Sequence, residues 1–317
     1  NGHDVNPTDE WRSSLMANSA KDPFWRAKVA HEVAINPDHQ LELEDKCTSC
    51  HAPLGHFNAH HLGEEHYAMA QLFQDSLAMD GVSCVACHQQ APTVGNSFSG
   101  ELAFDSAMIY GQYGAGKDDP LLYDPPMITY TGYNIGYGAH VDGSEVCAGC
   151  HSLVTQTADL DGNLTGQDYV EQATYHEWLN SAFADDGETP TECQDCHMPD
   201  QVGGACGFYT GPPFFERDDV GAHSFAGGNT WVLNAIVEDL GDDASFYGLT
   251  TDRVDAANAR TEQMLRDASD MELSIEGGDL KVRVVNQSGH SLPTGYPEGR
   301  RMWINVQFLD DSGGLIA

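Results

Sequence analysis

Four stretches of this chain set two cysteines three residues apart with a histidine directly after the second: CTSCH at 47–51, CVACH at 84–88, CAGCH at 147–151 and CQDCH at 193–197. Cysteine and histidine number only 9 and 15 in 317 residues, so chance supplies the five-residue pattern about 0.01 times in such a chain. Thiols and imidazoles at this spacing have few uses. A disulfide framework, zinc sites and iron–sulfur clusters all draw on cysteine pairs. None of them explains why a histidine follows every second cysteine. CxxCH has a covalent logic of its own: two thiols add to the two vinyl groups of a haem, and the adjacent imidazole reaches the iron from one face. That reading is favoured, with zinc and disulfides as the alternatives, and it uses eight of the nine cysteines. Cys206, in GGACGFYTGPP, is left over and is expected to be a small buried side chain.

With these four units the sequence resembles the multihaem c-type cytochromes. The resemblance implies four haems c, attached through Cys47 and Cys50, Cys84 and Cys87, Cys147 and Cys150, and Cys193 and Cys196, with His51, His88, His151 and His197 as proximal iron ligands. Two further segments extend it. HSFAGGN (223–229) follows CQDCHMP, and GHSLPTGYPEGRRMW (289–303) precedes a strand pattern. Both look like a group of exported cytochromes that join a haem-binding region to a C-terminal β region. More loosely, a four-haem chain of this length is similar to tetrahaem cytochromes that polymerise into extracellular electron-conducting filaments.

A c-type iron takes a sixth ligand or leaves the place open, and histidine or methionine commonly fills it. Eleven histidines lie outside the motifs, enough for a second imidazole at every iron. His223 sits among small residues that let backbone approach a porphyrin edge, and it falls in the family segment. His140 lies in a Gly-rich loop just before Cys147, and His290 lies in SGHSLPTG. The fourth distal ligand is expected among His31, His60, His61 and His66. His176, at helical spacing beside Trp178 and Leu179, reads as a packed helix residue.

These irons need a scaffold, and the bulk properties bound what it is. Lys and Arg total 14 against 49 Asp and Glu, a formal charge of -35. Such a surface repels phosphate backbones and anionic lipid, so nucleic acid and membrane surfaces are not expected partners. Other redox proteins, extracellular electron acceptors and further copies of the chain are. No stretch approaches the ~20 apolar residues of a membrane span. The start at Asn1, with no basic and apolar leader, fits an exported product. Attachment of haem to CxxCH resembles the process run outside the cytoplasmic membrane, so the expected location is periplasmic or extracellular. Calcium is a further candidate ligand at DLDGN (159–163).

Helical patches are expected at 22–34, 64–81, 169–184 and 250–269, and loops over 108–138. From 271 apolar and polar residues alternate between GG and DDSGG turns, which is hairpin chemistry. The expected fold is mainly α with irregular loops wrapped around four c-type haems, residues 1–270, plus a small β module, 271–317, whole or the first part of a longer one. The expected function is electron transfer through four haems ligated by two histidines each, with polymerisation into a filament. The alternative is a multihaem oxidoreductase acting on a small nitrogen or sulfur compound at one open haem; no CxxCK occurs here.

Overall fold

The computed structural model describes residues 5–93, 97–114, 116, 125–204, 216–296 and 299–316. Cys206 lies outside them. The chain opens with helices α1 (Pro7–Arg12) and α2 (Pro23–Ile35), each begun by a side-chain cap, Asn6 and Asp22, followed by proline. That pairing satisfies a free N–H and pre-sets the first helical φ. α3 (Gln40–His51), α4 (Pro53–His61), α5 (Met69–Leu72) and α6 (Cys84–His88) follow. The middle of the chain carries β1 (Met108–Gly111), α7 (Pro125–Thr131), β2 (Asn134–Tyr137), α8 (Ala139–Asp142), α9 (Glu145–Ala148), β3 (Leu153–Ala158) and β4 (Leu164–Gln172). It continues through α10 (Thr174–Leu179), α11 (Cys193–His197), β5 (Asp200–Gly204) and β6 (Glu216–Gly221). The C-terminal part holds α12 (Val232–Leu240), α13 (Thr251–Asp267), β7 (Ser269–Glu276) and β8 (Asp279–Asn286).

The expectation of a mainly helical fold wrapped around haems is corrected. Helix accounts for 39% and strand for 19%, a mixed α/β composition. The described strands form four two-stranded sheets: β1 with β2 in parallel, and β3 with β4, β5 with β6 and β7 with β8 antiparallel. The physical reason lies in their exposure. β4 keeps seven successive residues exposed, so no buried face imposes the alternation by which a strand is read. The stretch 108–138, expected as loop, contains β1, α7 and β2. The helix expected at 169–184 shrinks to α10, because Tyr169 and Val170 pair with Thr155 and Val154 in a sheet. The patch at 64–81 yields only α5 and one 3-10 turn, Ala78–Asp80.

Among the described residues apolar packing is divided into three clusters. One gathers Trp25, Val29, Tyr67, Met69 and Leu72 and packs against Cys47. A second joins α12 to α13 through Leu233, Ile236, Val254 and Ala257, each large aliphatic chain contributing about 1.5–3 kcal/mol by leaving water. The third, Tyr175, Trp178 and Ala148, includes a residue of the third CxxCH unit. In the hairpin, Gly277 and Gly278 stand at φ +63° and +92° between the paired Glu276 and Asp279. Two positive φ values in a row make the tight turn whose twist suits flanking strands.

Candidate functional site

Residues at i, i+3 and i+4 share one face of a helical turn, and every CxxCH unit is built on such a turn. CTSCH is the end of α3, while CVACH and CQDCH are the whole of α6 and α11. CAGCH begins on α9 and closes its turn with His151 N donating to Cys147 O at 2.9 Å.

The third unit is the hub to which the others are tied. A strap at residues 97–102 joins it to the first: Ser99 N donates to Ser152 O at 2.7 Å and Gly100 N to Gly149 O at 2.8 Å. Gly100 has φ +76°, and a Cβ there would lie 2.0 Å from Ser49 Oγ and 3.0 Å from Cys50 Sγ. Only glycine permits both the conformation and the approach. Buried Gln90 joins the second unit to the third, donating to Ala86 O at 2.9 Å and Val146 O at 3.3 Å. Glu192 joins the third to the fourth: its carboxylate accepts from Ser144 N at 2.7 Å, and Cys193 N donates to Ser144 Oγ at 2.9 Å. Thiols of different units consequently meet, Cys50 with Cys150 and Cys147 with Cys193.

None of the eight cysteines is in a disulfide. Among the described residues, no motif cysteine belongs to a group of three or more side chains converging on a common point as a metal ligand set. A zinc or cluster site needs such convergence, so neither alternative to haem attachment gains support.

Four of the histidines meet in two pairs. The rings of His88 and His223 have centres 6.2 Å apart and planes 24° from parallel; those of His197 and His290 are 6.4 Å apart and 19° from parallel. That is too wide for direct stacking. Two metal–imidazole bonds of ~2.0 Å plus the depth of each ring come to about 6 Å. In all four rings Nδ1 is held by a backbone carbonyl: His88 by Tyr110 at 2.6 Å, His197 by Ala226 at 2.6 Å, His223 by Gly221 at 2.9 Å and His290 by Ser291 at 3.1 Å. A ring donating from Nδ1 keeps the Nε2 lone pair for a metal. This donor set fits an iron between opposed imidazoles.

His51 and His151 form no such ring pair among the described residues. His51 lies flat against Trp25, with centres 4.6 Å apart and planes 7° from parallel. Burial lowers both imidazoles to about 4, which keeps them neutral, as a ligand must be. His151 is nevertheless exposed as a residue, so the neutral form is better secured at His51, which is only partly exposed.

The other expected distal ligands stand elsewhere. His31 and His61 are exposed on α2 and α4. His60 Nε2 lies 2.9 Å from an Asp45 oxygen. His66 is half-buried, its Nδ1 without a hydrogen-bond partner. His140 Nε2 lies 2.9 Å from Gln90 O, with its ring edge-on to Tyr110. His176 packs on Phe98, and its Nδ1 lies 3.1 Å from Ser152 Oγ. In DLDGN the Asp159 carboxylate accepts from Asp161 N and Asn163 N and closes the β3–β4 turn. The strap, Gln90 and the Ser144–Glu192 clasp had no sequence signal, because each acts between segments far apart in the chain. His56 does have one, its i,i+4 spacing to His60.

No known protein family, curated protein or solved structure matches this chain. Among the described residues no helix is long and apolar enough to cross a membrane.

Proposed function

We propose that this chain is a multihaem c-type cytochrome that carries electrons through four covalently attached haems. The observation that carries the reading is the pair of ring relationships, His88 with His223 and His197 with His290, each at about the spacing two axial imidazoles require. The four CxxCH turns supply eight thiols for attachment and four proximal histidines. Haem, when bound, supplies reversible one-electron chemistry at iron, and the protein sets ligation, spacing and dielectric. Cys50 meeting Cys150 and Cys147 meeting Cys193 keep attachment points of the first and third units, and of the third and fourth, together, as transfer between centres demands. Two imidazoles on each paired iron and a chain of charge -35 favour the ferric state and so low potentials. Donors and acceptors are other redox proteins or extracellular acceptors, in the periplasm or at the cell surface.

The test is the spin state of the oxidised protein by electron paramagnetic resonance and visible absorption, with and without cyanide or nitrite. Four low-spin haems indifferent to added ligand are expected. A high-spin haem that binds either ligand overturns pure electron transfer in favour of an oxidoreductase with an open iron.

We further propose self-assembly into a filament. Met271, Leu273 and Ile275 on β7 and Met302, Trp303, Ile304 and Phe308 beyond the hairpin are all exposed. Exposed apolar side chains offer surface for association, and a head-to-tail contact that does not close builds a helix. Electron microscopy at high salt with calcium, which screens the acidic charge, should show filaments; monomers alone would sink the idea.

A further inference from the structure

On the back of the helix that carries the first CxxCH unit, three side chains outside the haem ligand set converge. Asp45 is on α3, and His56 and His60 are one turn apart on α4. A single Asp45 oxygen lies 2.9 Å from His60 Nε2 and 3.4 Å from His56 Nδ1, and it also accepts from Tyr67 N at 2.8 Å. The two ring centres are 4.4 Å apart, and the three ligand atoms all fall within 4.8 Å of one another. Histidines at i and i+4 on one helix face present both rings to one ion. Tetrahedral ligands on bonds of ~2.0–2.1 Å stand about 3.3 Å apart, so the cluster needs only a small opening to admit one.

We propose that Asp45, His56 and His60 bind a divalent transition-metal ion of the zinc type, separate from the haems. Two imidazole nitrogens and one carboxylate oxygen are the three-protein-ligand set of open zinc sites, with water completing the shell. His56 is nearly buried while His60 keeps about a third of its side chain exposed, 8% against 34%, so the ion enters from the His60 side. Thr48, inside the first CxxCH unit, is fully buried; its hydroxyl lies 3.3 Å from His56 Nδ1 and donates to Tyr67 O. The ion would therefore clamp α4 to the helix bearing Cys47 and Cys50. This inference does not depend on the electron-transfer reading.

The experiment titrates zinc into chelator-treated, haem-loaded protein by calorimetry, in excess calcium to occupy the surface carboxylates. Zinc-edge X-ray absorption, which the haem iron does not obscure, reports the ligands. One zinc per chain with two imidazoles in its shell is expected, weakened at least ~10-fold in His60→Ala. Asp45→Asn keeps an acceptor for Tyr67 N and should weaken binding likewise, which covers a folding failure of the first variant. Absence of stoichiometric zinc, or an affinity in both variants equal to that of the parent, overturns the proposal. So does a His60→Ala variant that loses a low-spin haem signal, since His60 would then be an axial haem ligand.

Discussion

His197 ends the one-turn helix α11, and His290 lies beyond the β7–β8 hairpin, yet their rings face each other at 6.4 Å and 19° from parallel. The approach is arranged by Glu177 on α10, whose carboxylate accepts from Ser291 N at 3.0 Å and Thr294 Oγ1 at 2.6 Å. Gly289 adds close contact: a Cβ there would lie 3.0 Å from the Trp178 ring. Those contacts hold the loop after the hairpin against the element that precedes the fourth CxxCH unit.

Replacing His290 by methionine should leave four haems attached and raise the potential of one of them, since methionine as axial ligand favours the ferrous state more than histidine does. A redox titration followed by absorption reads this directly. His223→Met should act likewise on a different haem, so the double variant should shift two. An unchanged titration for either variant would remove that residue from the axial set.

Glu177→Ala should loosen the His290 loop while leaving every proposed ligand in place. Losing the acceptor removes one exposed and one part-buried hydrogen bond, from Ser291 N and the Thr294 hydroxyl, a cost of about 0.5–1.5 kcal/mol since water reaches the freed donors. The expected signature is a partial high-spin signal from one haem, growing with temperature, with Glu177→Gln retaining more of the low-spin form. A stability loss with all haems fully low-spin would make Glu177 a structural residue only.

Gly100→Ala should separate the first unit from the third. Its Cβ has no space beside Ser49 Oγ at 2.0 Å, and its φ of +76° disfavours any side chain. The expected outcome is a destabilisation of about 1–3 kcal/mol or more, measured by denaturant unfolding of the haem-loaded protein, with a changed redox coupling between two haems. A variant as stable as the parent would show that the strap yields without cost.

Lys21 is almost wholly buried, with its ammonium donating to Ala17 O and Met79 O and lying 4.5 Å over the Tyr247 ring. Burial pushes its pKa down to about 8 from an ordinary 10.5. Between those values the unfolded chain binds the proton more tightly than the folded one, so this contribution to stability rises with pH across that window. Below it the cost of burying the charge is felt in full. The rise amounts to at most about 3 kcal/mol. Unfolding measured from pH 7.5 to 10.5 should show it in the parent and lose that part of the slope in Lys21→Met.

What the sequence by itself determined is the local chemistry. Cysteines at i and i+3 with histidine at i+4 share a helical face by backbone geometry alone, so all four CxxCH turns were legible before any fold was known. α2 and α13 were legible as well, the first through its Asp22–Pro23 start and the second through apolar residues at helical spacing. The β7–β8 hairpin was legible too, through the alternation on either side of its Gly277–Gly278 turn; the strands of the middle of the chain were not, because β4 is exposed along most of its length and burial sets no alternation there. His223 and His290 were among the expected distal histidines, but their spacing along the chain does not say which motif histidine each one faces. Those pairings, the role of the third unit as hub and the diversion of His60 to Asp45 were decided by tertiary structure alone. Each depends on backbone carbonyls, a glycine strap and carboxylate clasps that bring together segments remote in the chain.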